Sequence, residues 1–197
     1  MNVTRGHGLL EGFLARWRCY QANKLILPEL RTGRILDIGC GSYPLTLVKT
    51  RFREKFGLDR EVREPQIEEF RALGIELRRH DFELEQRLPF DDESLDVVTI
   101  LAVVEHLDRP VLRGLCQEAQ RVLRPGGQFI ATTPASWTGP ILTALARLGL
   151  LSKEEIEEHR DLLSRPELES ILRESSFSTV QSGLFEMGLN SWFRATR

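Results

Sequence analysis

Acidic residues and glycines recur at three points of this sequence, and each point follows a short apolar run. The glycines of the DIGCG segment at 37–41 allow the backbone to approach a ligand closely. Asp59 ends the next apolar run, about 20 residues after Gly39, which is the spacing at which an acidic side chain meets a ribose in nucleotide-binding folds. Asp81 and Phe82 follow a third run, where a carboxylate can accept a hydrogen bond from an adenine amine. Together the three points predict a nucleoside-binding site.

Short apolar runs bounded by glycine and charged residues predict the buried strands that position these side chains. Helical patterns at 61–73 and 108–123 separate several of the runs, and a helix is also expected to begin near Pro44. Strands that alternate with helices predict a three-layer, Rossmann-like α/β fold, in which a doubly wound sheet gathers its strand ends at one edge. The predicted parallel strands are 34–39, 55–59, 75–81, 95–101 and 127–133.

The two ends of the chain carry different patterns. Residues 9–30 place apolar side chains at helical spacing and predict an N-terminal helical arm. Two strand-like segments, 178–185 and 191–196, have no long helical pattern between them and predict an antiparallel hairpin added to the parallel sheet. The stretch before this hairpin predicts helices at 139–151 and 166–175, with a charged segment at 153–160 between them.

Length and composition bound the class of protein. A chain of 197 residues with 41% hydrophobic and 28% charged residues predicts one domain, which we divide into the arm at 1–32, a ligand-binding core at 33–134 and a third part at 135–197. The net charge of −2 gives no basic footprint, so a nucleic-acid substrate is not expected. The sequence shows neither a signal peptide nor an apolar run long enough to cross a membrane. Three scattered cysteines fit free thiols in the cytoplasm.

Six short motifs together resemble the class I S-adenosylmethionine-dependent methyltransferases. The resemblance runs from about residue 33 to residue 134 and continues more weakly to the end of the chain. It implies a mostly parallel sheet of seven strands and S-adenosylmethionine as the cofactor. The motifs are ILDIGCG at 35–41, GLD at 57–59, DF at 81–82, LDVV at 95–98, VEHL at 104–107 and RVLRPGG at 121–127.

The resemblance also implies a role for particular residues. Asp37, Gly39 and Gly41, with Cys40 between them, are expected to line the methionine and ribose part of the cofactor. Asp59 is expected to bind the ribose hydroxyls, Asp81 with Phe82 to hold adenine, and Leu101 to contribute backbone near the amino group. One position departs from the family, since Tyr43 stands where a third glycine is usual. A tyrosine adds bulk where the methionine tail is expected.

The candidate catalytic residue is His106, which follows the fourth strand beside Glu105. A histidine with an unperturbed pKa near neutrality can act as a general base, and the alternative is that it holds the loop by a hydrogen bond. A sulfonium already carries a good leaving group, so alignment and desolvation are the main needs of methyl transfer. No cluster of residues with metal-ligand spacing occurs, so no metal is expected.

The acceptor is expected between the N-terminal arm, the loop after the fourth strand and residues 137–160. His159, Arg160 and Trp137 are the candidate substrate contacts, with an exposed helix end as the alternative for the first two. The apolar stretch at 137–151 could cover a hydrophobic acceptor, contact a membrane surface peripherally, or pack on the sheet. The N-terminal arm could likewise be a core helix that packs on the sheet or a lid that covers the acceptor. Its aromatic residues are Phe13, Trp17 and Tyr20.

The sequence therefore predicts methyl transfer from S-adenosylmethionine to an oxygen, nitrogen or carbon of a small, partly hydrophobic acceptor. The first alternative is a module that binds the cofactor without turnover. Tyr43 is the reason to consider it, because it replaces the usual glycine beside the methionine tail. A nicotinamide-dependent oxidoreductase shares the glycine turn and the acidic second strand. Asp81 with Phe82 and the Glu105–His106 loop argue against it. The identity of the acceptor and the oligomeric state stay open.

Overall fold

A computed structural model describes residues 11–140 and 163–197 of the chain. The strands are β1 (Arg34–Ile38), β2 (Glu54–Asp59), β3 (Ile75–Arg79), β4 (Leu95–Leu101), β5 (Leu123–Pro134), β6 (Thr179–Phe185) and β7 (Asn190–Thr196). The helices are α1 (Glu11–Leu25), α2 (Leu45–Lys49), α3 (Glu64–Arg71), α4 (Arg109–Val122) and α5 (Arg165–Glu174). Within these residues, no helix is both long and apolar enough to cross a membrane.

The seven strands form one sheet in the order β3-β2-β1-β4-β5-β7-β6. Strands β1 to β5 pair in parallel, whereas β7 runs antiparallel to both β5 and β6. The predicted fold, a mostly parallel seven-stranded sheet with an antiparallel C-terminal hairpin, is therefore confirmed. The hairpin docks through its second strand, so β7 lies inside the sheet and β6 forms the edge.

Alternate residues of the central strands point to opposite faces of the sheet and build two apolar layers. On one face Ile35, Val97 and Ile130 pack with residues of α1, α2 and α3. On the other face Leu36 and Val98 pack with α4 and α5. Because both faces are covered by helices, the central strands are apolar along nearly their whole length, as the sequence predicted.

Several boundaries differ from the sequence prediction. Helix α3 begins at Glu64, immediately before Pro65, and is shorter than the predicted 61–73. Strand β5 begins four residues before the predicted strand at 127, because Leu123 already pairs with Leu95. The intervening Arg-Pro-Gly-Gly segment shifts the register of this pair, and Gly126 adopts a positive φ of 79°.

The N-terminal arm is helical, but its larger apolar side chains do not form its buried face. Phe13 is 57% exposed and Trp17 38% exposed, whereas the small residues Cys19 and Ala22 are buried. Tyr20 is exposed as well. These three aromatic side chains therefore lie outside the core, whereas α1 itself packs in the core through residues such as Ala22. The predictions for 139–151 and 153–160 fall almost entirely outside the described residues.

Candidate functional site

The ends of β1, β2 and β3 meet at the carboxyl edge of the sheet and are joined by hydrogen bonds. The backbone N–H of Gly39 donates to the Leu58 carbonyl at 2.8 Å, and that of His80 donates to the Asp59 carbonyl at 3.2 Å. The Gly41 N–H donates to the Asp59 carboxylate at 2.9 Å. Three points far apart in the sequence therefore form one surface, as the predicted nucleoside site requires.

Asp59 is almost completely buried, and both of its carboxylate oxygens accept backbone hydrogen bonds. Besides the Gly41 amide on Oδ2, its Oδ1 accepts the N–H of Glu61 at 2.8 Å, which closes a turn directly after β2. Helix α3 begins later, at Glu64, and Arg63 is its N-cap residue. Asp59 therefore shapes the glycine loop and the following turn and does not cap α3.

The two glycines of the DIGCG segment have different reasons to be glycine. Both adopt positive φ, 70° at Gly39 and 68° at Gly41, a region that side chains disfavour. A Cβ atom added to Gly39 would lie 2.3 Å from a methyl carbon of Val103, so the loop after β4 packs directly on this residue. A Cβ atom added to Gly41 would meet nothing within 4 Å. Open space therefore lies beside Gly41, where the cofactor is expected.

Asp37 lies at the end of β1 and is buried, with its Oδ1 accepting a hydrogen bond from the Thr99 hydroxyl at 2.6 Å. The pKa of this carboxyl is raised to about 7, mainly by burial; the hydrogen bond from Thr99 opposes the shift, and the charge of Asp59 contributes to it. Asp37 precedes the glycine loop in the sequence. Its pKa near neutrality makes its charge sensitive to pH in the physiological range.

The side chains of Cys40 and Tyr43 turn away from the loop into the protein. Cys40 is buried, and its sulfur would lie 2.8 Å from a Cβ atom added to Gly57. The Tyr43 ring packs edge to face against Phe70 of α3, with ring centroids 5.5 Å apart. The bulk of the tyrosine is therefore accommodated against α3, and Cys40 offers a ligand only its backbone.

Asp81 and Phe82 lie just beyond the end of β3, and both are half-buried. Asp81 Oδ1 accepts the N–H of Glu83 at 2.9 Å, which fixes the turn that presents both residues. Phe82 packs against His80 with ring centroids 4.6 Å apart. His80 is buried, and its Nε2 has no hydrogen-bond partner among residues 11–140 and 163–197. The sequence predicted no role for His80.

The loop after β4 borders the glycine loop on its other side. Leu101 ends β4, and the next residue, Ala102, has a positive φ of 56° while its N–H donates to the Thr132 carbonyl at 2.9 Å. One turn of 3-10 helix follows at Val104–His106 and contains buried Glu105 and half-buried His106. This loop lies between β1 and β4, the point where the strand order reverses and where doubly wound sheets bind ligands.

Trp137 occupies a short turn after β5 and is 54% exposed. Its ring lies beside Gly188 in the β6–β7 turn, 3.8 Å from where a Cβ atom would be. Two buried polar residues of that turn and of β7, Glu186 and Asn190, were missed by sequence reasoning because no motif marks them. The other predicted substrate residues, His159 and Arg160, lie outside the described residues.

These residues fit S-adenosylmethionine by their chemistry. A buried carboxylate ends β2, open space lies beside a positive-φ glycine, and a carboxylate with an aromatic ring follows β3. A cavity of about 450 Å³ lies elsewhere, lined by residues such as Arg34 and Ser94 near the starts of β1 and β4. None of the predicted site residues lines that cavity, so it is not the cofactor site.

Comparisons with known proteins agree with this geometry. A family model described as a methyltransferase domain matches residues 36–131. The chain is 32% identical over 139 residues to a ubiquinone biosynthesis O-methyltransferase of Nitrosococcus oceani, which covers 67% of this chain and 58% of the relative. It is 35% identical over 125 residues to a sterol 4-C-methyltransferase of Caenorhabditis elegans, covering 61% of this chain and 36% of that protein. The chain thus spans less than two thirds of the length of either relative.

A solved structure of a SAM-dependent methyltransferase from Thermotoga maritima superimposes with a TM-score of 0.69 at 23% sequence identity. The superposition covers 92% of this chain and 88% of the other, so it shows that the two share a fold. The matched region at 36–131 contains the ends of β1 to β4, where the candidate cofactor residues lie. The chain belongs to the family of class I S-adenosylmethionine-dependent methyltransferases.

Proposed function

We propose that this protein transfers a methyl group from S-adenosylmethionine to an oxygen, nitrogen or carbon of a small, partly hydrophobic acceptor. The observation that most directly supports this proposal is the hydrogen bond from the Gly41 amide to the buried Asp59 carboxylate. This bond joins the loops that follow β1 and β2 at the carboxyl edge of the sheet. The names of the relatives, a ubiquinone biosynthesis O-methyltransferase and a sterol 4-C-methyltransferase, favour an acceptor of this class.

The cofactor, when bound, supplies an electrophilic methyl group on a sulfonium. Asp59 accepts hydrogen bonds from the ribose hydroxyls, and Asp81 with Phe82 holds the adenine. Asp37, Gly39, Cys40 and Gly41 line the methionine and ribose part of the cofactor, and Leu101 contributes backbone near the amino group. The role of these residues is to align the reacting atoms and exclude water, because the leaving group needs no further activation.

The acceptor occupies the other side of the edge, beyond β4. His106 acts as general base for an acceptor that arrives protonated. Trp137 supplies apolar cover, and His159 and Arg160 supply polar contacts. His106→Ala and His159→Ala should then lower turnover while cofactor affinity changes by no more than about threefold, a difference below ~1 kcal/mol. Full activity of both variants would rule out these roles.

Incubation with methyl-labelled S-adenosylmethionine and a small-metabolite extract tests the activity directly. The proposal expects label in one or a few metabolites, and expects the label to be lost when Asp59→Ala replaces the parent protein. Binding of the cofactor without any labelled product would favour the alternative of a binding module without turnover. Binding of NAD in place of the cofactor would favour the oxidoreductase alternative.

We also propose that the protein works in the cytoplasm. The support is chemical, since Cys19, Cys40 and Cys116 are all free thiols and all buried, which suits a reducing compartment. Fractionation of cells that produce the protein tests this location. Recovery in an exported fraction with oxidised cysteines would contradict it.

A further inference from the structure

The turn between β6 and β7 holds the buried carboxylate of Glu186, of which only one oxygen has a hydrogen-bond partner among the described residues. Glu186 is 5% exposed and Asn190 is 8% exposed. The Asn190 amide nitrogen donates a hydrogen bond to Oε2 of Glu186, which fixes the orientation of that amide. The other oxygens of the two side chains, Glu186 Oε1 and Asn190 Oδ1, have no hydrogen-bond partner among residues 11–140 and 163–197.

This pair lies at the same edge of the sheet as the candidate cofactor residues. Because β7 runs antiparallel to β5, its first residue, Asn190, pairs with Pro134 at the carboxyl end of β5. The backbone N–H of Ala135 donates to the Leu189 carbonyl at 2.9 Å, which ties the turn to the segment after β5. Trp137 lies beside Gly188 in the same turn. The Glu186–Asn190 pair is therefore on the acceptor side of the site, beyond β5.

The buried hydroxyl of Thr132 also has no hydrogen-bond partner within the described ranges. Thr132 lies on β5 two residues before Pro134, so its side chain and that of Asn190 share one face of the sheet. That face is covered by α1, whose Arg18 interacts electrostatically with Glu186. The unpartnered oxygens of Thr132 and Asn190 thus lie on one face, near the carboxyl edge of the sheet.

The arrangement costs folding free energy. Buried acceptors without donors are unfavourable, and native proteins rarely leave them so unless a ligand or an ordered water completes them. The backbone is strained as well, since the non-glycine residues Glu186 and Met187 have positive φ angles of 52° and 55°. Met187 is 92% exposed, so the strain is not offset by burial of its side chain. Strain of this kind clusters at functional sites.

The missing partner must be a hydrogen-bond donor, because both unsatisfied atoms are acceptors. Burial raises the pKa of Glu186, and the positive charge of Arg18 opposes that shift. Arg18 thus places a positive charge near the carboxylate, which disfavours a second cation such as an ammonium group at the same position. A neutral hydroxyl group suits this environment better than a charged amine.

We propose that Glu186 and Asn190 bind the methyl acceptor by accepting hydrogen bonds from its hydroxyl groups, on an aromatic or aliphatic ring that packs against Trp137. The inference rests on the proposed function, because it places the acceptor beside a bound cofactor. It assigns the acceptor to the class of neutral hydroxylated compounds. Glu186 is the principal specificity-determining residue, and Asn190 orients it.

The test uses catechol as the hydroxyl-bearing probe and 1,2-dimethoxybenzene as a matched ring without donors. Each is titrated by calorimetry into the full chain saturated with S-adenosylhomocysteine, which carries no transferable methyl group. The parent should bind catechol at least about tenfold more tightly than the dimethoxy compound, and Glu186→Gln should remove most of that preference. Glu76→Gln, an exposed carboxylate on β3, is the control and should leave the preference unchanged.

The outcomes distinguish failure of the proposed function from failure of the hydroxyl-binding site. Failure of the parent to bind S-adenosylhomocysteine contradicts the proposed function itself. If that ligand binds but catechol shows no preference over the dimethoxy compound, or if Glu186→Gln keeps the preference, the hydroxyl site is overturned and the pair is structural or hydrated. Should Glu186→Gln fail to fold, Asn190→Ala takes its place, with a loss of the preference expected and an unchanged preference overturning the proposal.

Discussion

Asp59 already accepts two backbone amides, and the proposed ribose hydroxyls would add to them. Asp59→Ala should therefore weaken S-adenosylmethionine binding at least about tenfold, because each lost charge-assisted hydrogen bond is worth about 1.5–3 kcal/mol. The Gly41 amide would also lose the partner that holds it at 2.9 Å. Titration calorimetry measures the affinity, and thermal unfolding verifies that the variant is folded.

Asp91→Ala is the matched control for Asp59→Ala. Asp91 is an exposed carboxylate in the turn before β4, away from the carboxyl ends of the strands. This variant should bind the cofactor as the parent does. A folded Asp59→Ala protein with parental affinity would show that the ribose is bound by another residue.

Gly41 and Gly74 provide a second matched pair. Both have positive φ, 68° and 71°, and an added Cβ atom would meet nothing within 4 Å at either position. Alanine at either position should cost a similar ~1–2 kcal/mol of stability, because the left-handed conformation disfavours a side chain. Only Gly41→Ala should also lower cofactor affinity, since only Gly41 borders the expected cofactor. If the two variants bind the cofactor with equal affinity in a titration, the cofactor does not lie beside Gly41.

The residues that could be predicted from the sequence were those whose role depends on the local chain. Gly39, Gly41 and Asp59 follow apolar runs, and the turn that each one forms is encoded within a few neighbours. Glu186 and Asn190 could not be found in this way. Their position depends on β7 entering the sheet beside β5, which brings residue 190 next to residue 134. No local pattern records such a pairing.

At the scale of elements, α1 shows why helical spacing alone does not identify a buried face. Its aromatic residues are exposed, and the helix is held in part by polar contacts near its C-terminal end. Arg31 donates to the Asn23 carbonyl at 2.6 Å, and buried Gln128 of β5 accepts the Leu27 N–H at 2.9 Å. The contact between Leu27 and Gln128 joins residues 101 positions apart, so the helix could be predicted and its orientation could not.

Gln128 gives a test of this attachment. Gln128→Leu removes the acceptor of the Leu27 N–H, and the protein should lose about 0.5–1.5 kcal/mol of stability, the net contribution of a hydrogen bond, because Leu27 itself is exposed. Urea unfolding monitored by circular dichroism measures the loss. Gln117→Leu, on the exposed side of α4, is the control and should change stability little. Equal midpoints for the two variants would show that Gln128 does not anchor the segment after α1.

At the scale of the whole molecule, the buried carboxyl of Asp37 makes folding stability depend on pH. Its folded pKa of about 7 lies above the ordinary value of 3.8 for an aspartate, so the folded state binds the proton more tightly than the unfolded state does. The parent should therefore lose stability as the pH rises from about 4 to about 7, at up to roughly 1.4 kcal/mol per unit of pH. Above about pH 7 this contribution becomes constant.

Asp37→Asn isolates the effect, because the amide stays neutral and can still accept the hydrogen bond from Thr99. The stability difference between variant and parent should be small near pH 4, grow towards pH 7 and then level off. Denaturant unfolding of both proteins across this range gives the difference. A difference independent of pH would show that Asp37 is ionised in the folded protein throughout.

The order of the strands in the sheet is the property that could be predicted least from the sequence. Alternating apolar runs and helical patterns predicted parallel strands, because each crossover helix returns the chain to the same edge. The last two strands lack such a helix, which predicted an antiparallel pair. Whether β6 or β7 would contact β5 was not encoded locally, since both are of similar length. The observed order β5-β7-β6 places the β6–β7 turn at the carboxyl edge.

The central claim is that the loops at the carboxyl edge bind S-adenosylmethionine. Calorimetric titration of the full chain with S-adenosylmethionine, and with NAD in parallel, tests it most directly. We predict saturable binding of S-adenosylmethionine at one site per chain, with a rise in melting temperature because the ligand binds only the folded state, and no saturable binding of NAD. Absence of S-adenosylmethionine binding by the folded protein, or equal binding of NAD, would contradict the account.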